Sequence, residues 1–479
     1  MRRPACLTTV LALGLAALAC LAASASAAGA VSFTASELLG RPTATSVTVN
    51  AVAASSLDAY SEYGTSAKSY SAHTTTATYA AGTPIVVTMT GLKANTRYYY
   101  RMRYRLPGAT TFSARPQHCF FTKRAAGSTF VFEVQGDSHP ERVKKQFDAA
   151  LYTQMLSSVA ADRPDFYVTS GDDFSVDTLK TVNATTVAER YTMQRPYLAL
   201  VGQSSPIFLV NGNHEQAAQY NLDGTADNVA VWAQTARNEY FPQPAPDGFY
   251  SGDEVTVPFI GLLRDYYAWA WGDALFVVID PYWHSPVAVD NAFGGGPKNT
   301  DKWLITLGDE QYAWLQKTPE SSQAKYKFVF THQVLGAGRG GIELAGLFEW
   351  GGKNAKGVDE FAAKRPGWEL PIHQLMAANH VTVFFHGHDH LFARQQLDGV
   401  VYQELPSPAD PNYAGTNAQA YKSGDVLPSS GRVRVTVSPR KVLVEYVRSY
   451  LPEDATAAHP DGEIAFSYEI AATNAPRKR

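Results

Sequence analysis

The chain has 479 residues, with 41 basic and 44 acidic side chains and a formal charge of −3. Charged residues make up 18% and hydrophobic ones 45%, against roughly 25% charged in an ordinary soluble domain. Balanced charge excludes an electrostatic footprint for nucleic acid, apolar content excludes a disordered chain, and length predicts two or three domains.

Met1-Arg2-Arg3-Pro4 is a basic start, an apolar run extends from Ala5 to Ala23, and Ala25-Ser26-Ala27 is a small-residue cleavage site. This order reads as a secretory signal over residues 1–27. The protein is therefore expected to be secreted, periplasmic or at the cell surface. A retained anchor is the alternative, since the run approaches the about 20 apolar residues of a spanning helix. Its Ala-rich composition and cleavage site favour export. Acylation of Cys20 is a further option that Ala17 and Leu21 fit poorly. No later segment is long and apolar enough to span a membrane. Loss of the leader leaves Cys119 alone, so no internal disulfide is expected. Cys119-Phe120-Phe121 reads as strand, with the thiol buried and not a nucleophile. Asn183-Ala184-Thr185 matches a glycosylation acceptor, a pattern short enough to arise by chance.

Residues 31–124 are rich in Thr, Ser, Ala and Tyr, and up to Lys123 carry only three carboxylates, Glu37, Asp58 and Glu62. Short alternating runs at 46–49, 85–89 and 97–104 predict strands. In the last, Tyr98, Tyr100, Met102 and Tyr104 share one face and the arginines take the other. Strands at this spacing predict a small β-sandwich. Gly91-Leu92 followed by Thr96 and Tyr98 resembles the tyrosine corner of fibronectin type III domains, with Ala94 where proline is usual.

Over residues 127–472 the rhythm changes. A strand at 129–134 precedes a helical stretch from Pro140 to about Ala160. A strand at 165–169, a helical segment through Arg190 and Leu198, and a strand at 206–210 follow. Alternation of this kind is the α/β pattern. Further strands are expected at 266–271, 275–279, 326–330, 381–385 and 400–405. The tail runs at 432–437, 441–447 and 464–470 lack intervening helices and should complete a sheet by antiparallel pairing.

Polar clusters follow these strands: Gly136-Asp137-Ser138-His139, Gly171-Asp172-Asp173, Gly212-Asn213-His214-Glu215, Thr331-His332 and Gly387-His388-Asp389-His390. In open α/β sheets ligands bind beyond the carboxyl ends of the strands. Any one cluster is an ordinary turn. Five in this order, each at a strand end, point to a metal centre.

The arrangement resembles the calcineurin-like metallophosphoesterase superfamily, and within it the purple acid phosphatases, which carry a similar N-terminal β-domain. The resemblance implies an αββα catalytic sandwich behind a small all-β sandwich. It implies that Asp137, His139 and His390 bind one metal, that Asn213, His332 and His388 bind a second, and that Asp172 bridges them. Mixed nitrogen and oxygen donors suit Fe, Mn or Zn. Two residue types depart from the purple phosphatases: Ser175 stands where their metal-binding tyrosine would be, and His139 where they have glycine. The coloured iron tyrosinate should be absent, with His139 restoring the lost ligand.

The implied chemistry is hydrolysis of small phosphate esters by a water held between two cations. His214 fits the family pattern for proton donor or phosphate clamp, and Glu215 is a candidate to orient it. Asp173 and Asp389 either partner imidazole N–H groups or are ordinary turn carboxylates. Arg339, in the glycine-rich run 336–341, either clamps phosphate or is a solvated loop residue. Tyr282, Trp283 and His284 either line the pocket or join an aromatic core cluster. His386 is expected to pack or to support a ligand. A phosphomonoesterase is the expected activity, and a phosphodiesterase or nucleotidase is the alternative on the same centre. A non-catalytic surface binding protein is a more remote one. Oligomeric state and the role of the β-domain are not legible.

Overall fold

The computed structural model describes residues 31–290, 292–295, 297–335 and 338–472. The leader, Cys20 and Gly336-Ala337 lie outside the described residues.

The N-terminal region is all-β. Leu38–Gly40, Val47–Val52 and Pro84–Met89 form one antiparallel sheet. A second is built on Leu57–Gly64, Arg97–Arg105 and His118–Phe121. Period-2 alternation sets their common core: Tyr98, Tyr100 and Met102 are buried with Leu57, Val87 and Phe120. Arg101, Arg103 and Arg105 emerge on the opposite face, where Arg101 and Arg103 pair with Glu62 and Arg105 with Asp58. The Lys93 N–H donates to the Tyr98 hydroxyl at 3.0 Å, tying the chain across the turn before that strand. Cys119 alternates with buried Phe120 and is only half-buried, contrary to the buried position expected for it.

The strands of the larger region are, in chain order, β1 (Phe130–Gln135), β2 (Phe166–Thr169), β3 (Ile207–Leu209), β4 (Tyr267–Trp271), β5 (Ala274–Val278) and β6 (Tyr326–Phe330). They continue with β7 (Val383–His386), β8 (Phe392–Leu397), β9 (Val400–Glu404), β10 (Gly431–Val437), β11 (Lys441–Arg448) and β12 (Ile464–Ala471). The first sheet has the order β3-β2-β1-β10-β11-β12. Its first three strands are parallel, and the tail strands are added antiparallel, as their lack of intervening helices predicted. The second sheet has the order β4-β5-β6-β7-β9-β8, extended by short edge strands, with β5, β6, β7 and β9 parallel.

The sheets face each other across an aromatic core. Phe132 meets Phe276 and Phe328 with ring centroids 5.1 and 5.3 Å apart. Alternate residues of the same strands, such as Val329 and Phe384, face outward instead. Both faces being covered explains why these strands read as nearly unbroken apolar runs. Helices α1 (Ala149–Asp162), α2 (Ala184–Gly202) and α3 (Val229–Tyr240) cover the first sheet, and α4 (Gly308–Ser321) and α5 (Ile372–Ala378) the second. The fold is therefore an αββα sandwich preceded by an all-β region.

Two local features correct the sequence reading. The helix expected from Pro140 starts only at Ala149, because Asp148 caps it by accepting from the N–H groups of Ala150 and Leu151. Residues 140–147 instead form turns, with Lys144 in the left-handed region. Asn183, of the glycosylation pattern, caps α2 in a reciprocal box with Thr186.

The β-region is tied to the sandwich by directed hydrogen bonds. Tyr100 donates to the Gln203 carbonyl at 2.8 Å, and the Asn50 amide donates to the Glu239 carbonyl at 2.8 Å. Nearby, Glu37 is fully buried between Arg115 (3.0 Å) and His118 (3.4 Å). Burial alone would raise its carboxyl, but these partners outweigh burial and hold it at about 2, against an ordinary 4.5. A depressed carboxyl stabilises the fold above its unfolded value, and that contribution is lost as pH falls through the folded one. Glu37→Gln should cost up to roughly 3 kcal/mol in denaturant titrations at neutral pH. It should also flatten the acid-induced loss between pH 4.5 and 2. Unchanged neutral stability would contradict this role.

Candidate metal centre

The polar clusters lie beyond the carboxyl ends of β1, β2, β3, β6 and β7, so three loops of one sheet meet two of the other. Their side chains converge on one buried point. The His332 Nε2 lies 3.1 Å from Asp172 Oδ2, 3.1 Å from Asn213 Oδ1, 3.3 Å from His388 Nδ1 and 3.8 Å from Asp137 Oδ2. Asp137 Oδ2 is also 3.0 Å from His390 Nε2 and 3.8 Å from His139 Nε2. Asp172 Oδ2 is 3.8 Å from His139 Nε2 and 3.7 Å from His214 Nε2. All seven residues expected as ligands are thus brought together, in overlapping groups that share Asp137 and Asp172.

This donor set fits cations. Asp137 Oδ2 and His139 Nε2 are buried without a hydrogen-bond partner, although each points into the cluster. Burial would raise Asp137 and Asp172, yet His332 above all, then His390 beside the first and His214 beside the second, hold both well below the usual carboxylate range. Conversely, burial would lower His332, and Asp172 and Asp137 push it up to about 10. Positive charge is what the point demands, and imidazole and carboxylate donors match transition metals.

The backbone supports the convergence at some cost. His139, Asp172, His388 and His390 all have left-handed φ, between 44° and 79°. Side-chain-bearing residues seldom adopt it, and such strain clusters at functional sites. Gly212 is required by crowding: a Cβ there would lie 2.2 Å from Asp172 Oδ1 and 2.5 Å from the Asp172 N.

His332, His139, His390 and His214 are each oriented through the other ring nitrogen, which fixes tautomer and ring plane. His332 Nδ1 lies 2.9 Å from the Ser170 carbonyl. His139 Nδ1 lies 3.1 Å from Ser175 Oγ and 3.2 Å from Glu141. Ser175 therefore stands beside the histidine expected to replace the missing tyrosine. His390 Nδ1 is near Gln146 at 3.3 Å, and His388 Nε2 is 3.6 Å from Asp290. His214 Nδ1 is 2.7 Å from Asp177 Oδ2. Burial would lower His214, but Asp172 and Asp177 raise it to about 9.

Several sequence expectations are corrected. Asp177 orients His214, the role considered for Glu215. The buried Glu215 carboxylate instead accepts from the N–H groups of Asp173, Phe174 and Gly212, clamping the Asp172 loop to the Asn213 loop. Asp173 does not serve an imidazole: it accepts from Gln135 and Ser138, and burial pushes it up to about 7. Asp389 likewise takes Arg339, the Gly340 N–H and the Tyr421 hydroxyl. Arg339 donates through Nη1 to Asp389 and the His388 carbonyl, so it braces the loop that carries His388 and His390. Trp283 packs in an apolar cluster with Ala230 and Leu263, and His284 bonds Asp265 at 2.8 Å. Of the three neighbours only Tyr282 approaches the centre, its ring 6.0 Å from that of His332. His386 is buried with Nδ1 2.6 Å from Glu404, a supporting position as expected.

Glu141, Arg142 and Asp177 were missed. Glu141 and Arg142 lie two and three residues after His139, a signal of proximity within the sequence. Asp177 reaches His214 only through the fold of the Asp172 loop.

The chain matches the family described as calcineurin-like phosphoesterase over residues 132–392. No curated protein matches by sequence. Among solved structures, a purple acid phosphatase, PPD1 from yellow lupin (Lupinus luteus) seeds, superposes with a TM-score of 0.58 at 15% identity, covering 91% of this chain and 74% of that one. PhoD superposes with a TM-score of 0.63 at 16% identity, covering 92% and 90%. At such identities the likeness is one of fold.

Glu215→Ala should leave three buried N–H groups unpaired and weaken metal affinity about 10–100-fold. Titration of the stripped protein with manganese measures it. Unchanged affinity in a folded variant would remove the clamp from the site's architecture.

Proposed function

The chain belongs to the calcineurin-like phosphoesterase family of metal-dependent phosphoester hydrolases, and from that premise we propose an exported phosphomonoesterase acting through two transition-metal ions. The observation that carries this reading is the convergence of Asp137, Asp172 and Asn213 with four imidazoles on one buried point beside His214. Asp137, His139 and His390 would hold one ion of Fe, Mn or Zn; Asn213, His332 and His388 would hold the other, with Asp172 between. When bound there, the ions would supply an activated water and neutralise the phosphoryl oxygens as charge develops. The basic start, apolar run and cleavage site of residues 1–27 support export, with residues 31–124 and 127–472 as two domains of the mature protein. No helix among the described residues is long and apolar enough to cross a membrane.

The protein's own groups supply the rest. Asp177 holds the Nδ1 side of His214, leaving Nε2 directed at Asp172 and the centre. A proton at Nε2 is in place to reach the leaving oxygen of the ester. The Arg142 Nη2 lies 3.1 Å from the same Nε2. The guanidinium can only donate, so Nε2 accepts in this contact; with Nε2 protonated, a phosphoryl oxygen beside the pair would accept from both. Arg142 is itself aimed by Glu141 at 3.3 Å and Gln146 at 2.5 Å. Substrate phosphate would thus be held on one side by this corner and on the other by the cations.

Chelation should abolish turnover of an aryl phosphate, and added Mn or Zn should restore it. His214→Ala should lower kcat about 10²–10⁴-fold with metal content retained. Undiminished turnover in that variant would exclude the proton-donor role. Arg142→Ala should raise KM about 10–100-fold, the loss of a charged hydrogen bond. Faster hydrolysis of a bis-aryl than of a mono-aryl phosphate would turn the assignment to the phosphodiesterase alternative.

A further inference from the structure

A second group of metal-ligand type lies apart from the seven residues above. Asp253 follows the edge strand Ser251–Gly252, Asp265 precedes β4, and His284 ends the short helix Pro281–His284. One donor atom from each falls within 4.8 Å of the others. His284 Nε2 is 2.8 Å from Asp265 Oδ2. Asp253 spends Oδ1 on the Val255 N–H, while Asp253 Oδ2 and Asp265 Oδ1 are buried with no hydrogen-bond partner. Both residues are almost wholly inaccessible.

Charge makes this arrangement costly as it stands. Among the described residues, no lysine or arginine pairs with Asp253 or Asp265; His284 is the one basic partner. The surrounding groups add negative charge: Glu254 and Glu310 act on neighbouring Tyr266, and Asp280 acts on His284. Burial, and then Asp265, push the Asp253 carboxyl up to about 7. Two facing buried carboxylates do not both stay ionised unless a cation lies between them; without one, a carboxyl keeps its proton.

We propose that Asp253, Asp265 and His284 form a structural binding site for a divalent transition-metal ion of the zinc type. Two carboxylates and one imidazole offer the oxygen and nitrogen donors that such an ion takes, with solvent completing the coordination. His284 retains some exposure, which gives solvent that position. The ion would pin three separate segments together. One of them is the turn in which Asp280 accepts from Tyr282 and Trp283 N–H groups and from Asn211, two residues before Asn213. The site would thus brace the turn that carries Tyr282 and, through the Asn211–Asp280 bond, the separate loop that carries Asn213, without touching substrate.

The test is the zinc content of the full-length protein after equilibrium dialysis, compared between the wild type and Asp265→Asn. The wild type should retain one zinc ion more per chain than the variant, whatever number the main centre holds. Equal zinc content in a folded variant would overturn the proposal. Where Asp265→Asn does not fold, zinc-edge anomalous diffraction from wild-type crystals decides. A peak among Asp253, Asp265 and His284 supports the site, and its absence overturns it.

Discussion

Two carboxylates, Asp137 and Asp172, are buried within reach of one imidazole nitrogen, and the surrounding architecture keeps that charge out of water. An isolated buried carboxylate is among the costliest features a fold can contain. Here the cost is met by four histidines delivered from both sheets, and the remaining demand for positive charge is what a metal satisfies. The left-handed backbone at His139, Asp172, His388 and His390, the glycine at 212 and the Glu215 clamp all serve to bring those donors to one place.

The sandwich makes this possible because both its sheets contain parallel strands whose carboxyl ends lie at the same end. Phe132, Phe276, Phe328 and Phe385 lock the sheets face to face, so five loops on two sheets are held at fixed separation. A site assembled from one sheet would need longer loops to enclose its ions. Precision at the centre is thus a property of the aromatic core beneath it.

Much of this was legible in the sequence. Strands were readable from apolar runs, and the converging candidate ligands from Asp, Asn and His immediately after them, because a strand end fixes where the next few residues go. The β-region was readable from alternation in residues 97–104. What was not legible depends on approach between distant segments. Glu215 looked like a partner for its neighbour His214, yet the Asn213 turn points it back at the N–H groups of the Asp172 loop. Trp283 and Tyr282 are adjacent, but the short helix sends one into an apolar cluster and the other toward His332. The start of α1 depended on a single cap, Asp148, which no periodicity marks.

We propose that the buried cluster holds two cations with Asp172 between them. X-ray absorption on the metal-loaded protein addresses it directly. A metal–metal scattering distance of about 3.5–4 Å is expected for such a pair. A metal-loaded, active protein whose spectrum shows only light-atom neighbours would contradict it.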